Sequence, residues 1–226
     1  MLRFEYRVHP NWPSLSWLAS FRLAESTIVL MHGSRMETRP DWFCEAVWDG
    51  PFEEGDFNRT DIVSGSGARL RGEHGVFVSS GSTVDRLQWI AHDGRHWLSS
   101  STACLMSAVG GTFDPAYPRY FHDFFSIVHG LEKHVRQMPI SSGVVNYLYF
   151  DNAVWDGRSV SIEKKPLGNR SFESFDAYHR FLVDSVRGLS VNLKDPSRSW
   201  IYSMLGTLST GYDSPTVTTL ARPFGL

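Results

Sequence analysis

The chain is short of cysteine, of net charge and of long apolar runs, and each shortage removes a class of protein. Its two cysteines, Cys44 and Cys104, are spaced too widely for a zinc ribbon or a disulfide framework, so both are expected as reduced thiols in or near a core. Twenty-two basic against 24 acidic side chains leave a formal charge of -2. A field that weak would not hold a nucleic-acid backbone or an anionic membrane, and neither is expected as a partner. No apolar stretch reaches the roughly 20 residues of a membrane span. Arg3, Glu5, Arg7 and His9, followed by Pro10 and Pro13, interrupt the start of the chain. No secretory signal is read there, and a cytoplasmic location is expected. The Asn58-Arg59-Thr60 and Asn169-Arg170-Ser171 sequons are accordingly read as chance matches.

What is present is an ordinary globular composition, 42% hydrophobic and 14% aromatic over 226 residues, enough for one large core or a domain plus part of a second. The first 65 residues read as short strands and loops, with Thr27-Ile28-Val29-Leu30-Met31 the clearest apolar stretch between Pro and Gly punctuation. Ala68 to Ser80 reads as two strands around a Glu73-His74-Gly75 turn. A second hairpin joins Arg86–Ile90 to His96–Leu98 through Asp93-Gly94. Ser101 to Ala108 predicts a short helix with a hydroxyl cap. Tyr117, Tyr120, Phe121, Phe124, Phe125, Val128 and Leu131 recur at helical intervals and predict one or two helices between Pro115 and Val135. Val144–Phe150 has strand composition. The polar stretch from Asp156 to Arg170 reads as a linker, after which Phe172, Phe175, Tyr178, Leu182, Val186 and Leu189 mark one face of a helix beginning near Ser171 or Ser174.

Near the end, a strand over Tyr202–Leu208 is expected to lead into Ser209-Thr210-Gly211-Tyr212-Asp213-Ser214 and then a helix that accepts Pro215 in its first turn. A loop between a strand and a helix N-terminus offers unpaired N–H groups and the positive end of the helix dipole to phosphate oxygens. Gly211 would allow close approach and a positive φ, Ser209 and Ser214 would add hydroxyl donors, and Asp213 could hold a magnesium ion that bridges phosphates. On the residues alone, the alternative is a strand-to-helix turn whose Ser and Asp only cap the helix.

This loop resembles that of the PP-loop ATP pyrophosphatases, Ser-Gly-Gly-x-Asp-Ser, with Ser209, Gly211, Asp213 and Ser214 matching and Thr210 departing from the pattern. From about Val76 onward the order of features also resembles an asparagine synthetase. Asp85-Arg86-Leu87, the Asp93-Gly94 hairpin and Leu98-Ser99-Ser100-Ser101 are similar to the family's Asp-Arg-x-Gly stretch, hairpin and helix start. Met138-Pro139-Ile140-Ser141-Ser142-Gly143 is similar to its Leu-Pro-Pro-Gly turn.

The resemblance implies an α+β fold: a four-layer αββα amidotransferase-like (Ntn-hydrolase-like) sandwich over 1–160, a linker over 161–170, and over 171–226 the first helix, strand, loop and helix of an α/β PP-loop domain. It implies ATP and Mg2+ as cofactors, the pyrophosphate loop being Ser209, Thr210, Gly211, Tyr212, Asp213 and Ser214, with Asp213 the metal ligand. It implies an AMP-forming amide ligase acting on a small-molecule or peptide carboxylate, and it allows a homodimer. The family's glutaminase uses an N-terminal cysteine. This sequence starts Met1-Leu2-Arg3, so no catalytic residue is assigned and glutaminase activity is not expected. The sequence stops at Leu226, inside what would be the first helix of a nucleotide domain, so little ligase activity and an exposed apolar edge are expected of residues 1–226 alone. A lactam- or macrolactam-forming synthetase and a non-catalytic binding or scaffold domain are the alternatives.

Other groupings carry less. Gly65-Ser66-Gly67 lacks the third glycine of a dinucleotide loop and reads as a turn. His92 and His96 flank Asp93-Gly94, which breaks any helix that would aim both at one metal. His122 and His129 read as partly buried imidazoles among aromatics, and no Gly-x-Ser-x-Gly elbow supports a hydrolase.

Overall fold

Along Thr27-Ile28-Val29-Leu30-Met31-His32 every second side chain is buried, the period of a strand with one face in a core. The computed structural model describes residues 1–166 and 170–225 as a mixed α+β chain. Its strands are β1 (Arg3–Val8), β2 (Trp17–Phe21), β3 (Thr27–His32), β4 (Glu37–Thr38), β5 (Trp42–Cys44), β6 (Val47–Trp48) and β7 (Val63–Ser64). They continue as β8 (Gly67–Arg71), β9 (His74–Val78), β10 (Leu87–His92), β11 (Arg95–Ser99), β12 (Gln137–Ile140), β13 (Gly143–Leu148), β14 (Asn152–Trp155) and β15 (Val160–Glu163). The α-helices are α1 (Thr102–Ala108), α2 (Tyr120–Phe124), α3 (Phe175–Leu193) and α4 (Asp213–Ala221).

A seven-stranded sheet runs β1-β3-β2-β11-β10-β13-β12 and a six-stranded sheet β15-β14-β9-β8-β5-β4, with β6 and β7 forming a small ribbon. The strands pair antiparallel except β1 with β3. Pro139 sits in β12, an edge strand, where its missing N–H costs no ladder bond.

The two sheets face each other across the main core. Trp17, Phe21, Ile28 and Leu30 from the larger sheet pack against Phe43, Ala68, Phe77 and Trp155 from the smaller, with Phe21 and Trp155 ring centroids 4.6 Å apart. The outer face of the larger sheet carries Leu18, Ile90 and Val145 under Cys104 and Leu105 of α1. The outer face of the smaller one carries Trp42, Cys44, Val76, Val78 and Val154 under Trp48, Phe52 and Phe57, all three fully or almost fully buried.

Helix α3 packs beside this aromatic cap. A Cβ on Gly188 would lie 2.9 Å from the Asp49 carbonyl oxygen, so glycine sets the approach. Asn192 donates to the Gly50 carbonyl at 2.8 Å. The chain beyond α3 is strapped back to the sandwich. Arg198 donates to the carbonyls of Asn192 at 2.6 Å and Ala46 at 2.9 Å, and Glu37 accepts from the Ser199 and Trp200 amides at 3.1 Å each.

Several expectations change. The first hairpin turns over Gly72 (φ +61) and Glu73, with His74 and Gly75 already in β9. The span from Pro115 to Val135 holds only α2 and a 3₁₀ turn at Ser126–His129, ended by Gly130 at φ +111, and Phe121 and Val128 point outward, 72% and 75% exposed. The expected linker is partly sheet: β15 pairs with β14 over Val160–Glu163, Lys165 is buried, and Arg170 pairs with Asp61. Residues 167–169, part of the expected linker and of the Asn169 sequon, lie outside the described residues. Tyr202–Leu208 forms no strand; among the described residues no neighbouring strand offers it a ladder, and an isolated strand gains little from its own residues.

Candidate functional site

Helix α4 starts where the sequence reading places it, with Asp213 in its first turn and Pro215 following. Ahead of it the loop closes on its own hydroxyls. Ser209 and Ser214 Oγ atoms are 2.8 Å apart, the Ser209 N–H donates to Ser214 Oγ at 2.8 Å, and the Gly211 N–H donates to Ser209 Oγ at 3.3 Å. The structure therefore brings Ser209, Gly211 and Ser214 together at the N-terminal end of α4. Thr210, Tyr212 and Asp213 are exposed, Tyr212 at 93%. Gly211 does not use a positive φ, against expectation. A Cβ there would meet only Ser209 Oγ, at an ordinary contact distance of 3.5 Å, so the loop as folded does not require glycine at this position.

Whether these residues suit a phosphate with its metal follows from the donor set. The first-turn amides of a helix lack intrahelical acceptors and face the positive dipole end, and two hydroxyls converge beside them. Asp213 is a single exposed carboxylate, and no group of three or more His, Cys, Asp or Glu side chains is placed to hold a metal among the described residues. One carboxylate suits magnesium, which takes most of its octahedral shell from phosphate and water. A coil from Ile201 to Leu208 precedes the loop, with Leu205 at 92% and Leu208 at 74% exposed, so the loop is not backed by a sheet.

No protein-family model matches the chain. No curated protein matches it either.

At the sandwich itself, a polar network that the sequence reading did not single out joins three strands' ends. Glu45 Oε1 accepts from the Ser66 amide at 2.8 Å and the Ser66 hydroxyl at 2.6 Å, while Trp17 Nε1 donates to Ser66 Oγ at 2.9 Å. Burial pushes the Glu45 carboxyl up to about 8, against the lowering effect of the Ser66 bonds. Gly65, at φ +94, lets the turn lie against Glu45: a Cβ would come within 2.5 Å of the Glu45 carbonyl oxygen. Gly65-Ser66-Gly67 is thus a tight turn. Ser66 is 2% exposed, which keeps its hydroxyl from meeting a substrate.

The thiols are equally closed off. Both are buried, and burial pushes the Cys44 thiol up to about 12, so Cys44 offers no thiolate near neutrality. His92 and His96 stand on opposite arms of the β10–β11 hairpin, His92 opposite Arg95 and His96 opposite Ala91. His96 stacks on Phe21 and lies tilted against Trp155, with centroids 5.5 and 5.0 Å away. His122 and His129 are exposed, not partly buried as expected.

Proposed function

We propose that the chain is the amidotransferase-like N-terminal part of an asparagine synthetase-like, ATP-dependent, AMP-forming amide ligase, followed by the beginning of its PP-loop ATP-binding domain. The observation that carries this is the Ser209–Ser214 loop, whose two matching hydroxyls converge at the start of α4. The arrangement ahead of it supports the reading: two sheets packed face to face, with α1 over one outer face and the aromatic cap and α3 beside the other, suit the layering of an αββα sandwich. The β10–β11 hairpin, α1 and the β12–β13 turn follow in the family's order.

In this reading a substrate carboxylate attacks the α-phosphorus of ATP, an acyl-adenylate forms and pyrophosphate leaves. An amine then displaces AMP from the acyl carbon and gives up a proton. Ser209, Ser214 and the first-turn amides of α4 would hold the pyrophosphate and stabilise the charge it gains, and Asp213 would hold the magnesium. The nitrogen donor in this reading is ammonia or an amine of the substrate itself, the second being the lactam-forming case.

Exchange of labelled pyrophosphate into ATP tests the proposal, run on the full-length natural protein with a panel of carboxylates. Exchange that depends on one carboxylate and is lost in Asp213→Ala is expected. No exchange with any carboxylate would overturn the ligase reading and favour a non-catalytic binding domain, which the Cβ of Thr210 and the coil before the loop also favour.

A further inference from the structure

Beside the Trp42–Trp48 cluster, the outer face of the six-stranded sheet holds a cavity of about 410 Å³, within the range of small-molecule sites. Cross-strand register explains its make-up. Val76 of β9 lies opposite Val154 of β14, which lies opposite Ser161 of β15, and the two valines give a buried apolar floor. One wall comes from the β8–β9 pair Arg71 and His74, the other from the β14–β15 pair Asn152 and Glu163. Arg59 and Lys164 stand at its rim, both exposed.

Two residues that line this cavity each carry a buried polar atom without a partner among the described residues. Asn152 is only 5% exposed. Its amide nitrogen donates to the Asn58 carbonyl at 3.0 Å, while its Oδ1 accepts nothing. Arg71 is fixed by Nη2, which donates to Asn58 Oδ1 at 2.9 Å and to Asp56, and its Nε has no acceptor. Buried groups of this kind normally find a partner, and an unmatched donor and acceptor at one cavity point to a ligand that supplies the converse of each.

We infer that this cavity binds a carboxylate with a neighbouring N–H donor, the chemistry of a free α-amino acid or of a peptide C-terminus. The carboxylate meets Arg59, Arg71 and Lys164, the N–H donates to Asn152 Oδ1, and the adjoining side chain rests on Val76 and Val154. A phosphate dianion fits less well, because Glu163 and Asp156 also line the cavity and would repel a second negative charge. The site is remote in sequence from Ser209–Ser214 and stands whether or not that loop binds nucleotide.

Methyl NMR of the full chain titrated with the dipeptide Ala-Val, its C-terminal amide and free valine tests this at Val76 and Val154. Saturable shifts of these methyls are expected with the acid, with the amide binding at least about tenfold more weakly because it lacks the charge-assisted bonds. Free valine matching the dipeptide would identify the amino acid as the ligand; dipeptide at least about tenfold tighter would identify the peptide terminus. Asn152→Ala should weaken binding roughly fivefold or more. The exposed Lys164→Ala, which leaves the buried wall intact, should weaken the acid but not the amide. Equal affinity for acid and amide, or no shift at Val76 and Val154 up to the solubility limit, would overturn the inference.

Discussion

Raising the pH should weaken the fold through one carboxyl, that of Glu45. Burial lifts it from an ordinary 4.5 to about 8. A carboxyl with a raised folded-state pKa keeps a proton that the unfolded chain has released. Its contribution is therefore complete below about pH 4.5 and is lost as the pH rises through about 8. At about 1.36 kcal/mol per pH unit, that interval sets a ceiling of roughly 5 kcal/mol. Glu45 retains some solvent-exposed surface, and water and local relaxation will absorb most of this, leaving an expected loss of about 1–2 kcal/mol. Urea unfolding at intervals from about pH 5 to pH 9, on the wild type and Glu45→Gln, measures it. The glutamine oxygen can still accept from the Ser66 amide and hydroxyl, so the variant removes the titration and keeps the bonds. The wild type should lose stability relative to the variant across this range and level off above about pH 9. Parallel profiles, or a variant that loses ground as the pH rises, would refute the reasoning.

Trp48→Ala should cost about 3–5 kcal/mol in urea unfolding, since it empties a fully packed site in the aromatic cap. Gly188→Ala should cost about 1–3 kcal/mol, because the new Cβ meets the Asp49 backbone at 2.9 Å; hydrogen exchange along α3 would show the loosened contact. The Ser174 hydroxyl caps α3 by accepting from the Ala177 amide at 3.2 Å, so Ser174→Ala should lose about 1 kcal/mol and fray the first turn in the same exchange experiment. If exchange is detected, Ser214→Ala should lower it by at least about tenfold, one lost hydroxyl donor being roughly a charged hydrogen bond.

The parts of the fold legible in the sequence are those with a local cause. Asp93 and Gly94 both take positive φ, +49 and +67, which is why that dipeptide marks the hairpin between β10 and β11. Ser101 and Ser174 accept from first-turn amides and so mark α1 and α3. The aromatic series from Tyr117 to Leu131 marks a real but shorter helix, α2, with Tyr120 and Phe124 on the core, because Pro115, Pro118 and Gly130 cut the segment while its outward aromatics imitate a longer buried face. The strand expected over Tyr202–Leu208 had suitable residues but lacks a partner, which no local pattern reveals. Of the candidate sites, Ser209–Ser214 is contiguous and could be read directly. The Glu45–Ser66–Trp17 network and the cavity over Val76 and Val154 are assembled from distant segments by strand register, and single residues such as Asn152 carry no mark of it.

The stretch that carries the Ser209 loop is clasped at both ends by one turn of α3. Arg198, ahead of the loop, grips Asn192; the Phe224 carbonyl, beyond it, accepts from Ser190 Oγ at 3.1 Å and Lys194 Nζ at 2.5 Å. The intervening residues thus form a ring closed by these bonds. Lengthening the coil over residues 201–208 should cost little, since doubling a closed loop adds only about 0.6 kcal/mol of closure entropy. Disturbing Ser190 to Lys194 would instead release the Phe224 end, while Arg198, Ser199 and Trp200 keep their bonds to Ala46 and Glu37. The end of α3 is therefore the place from which a distant change could free or restrain the loop without touching it.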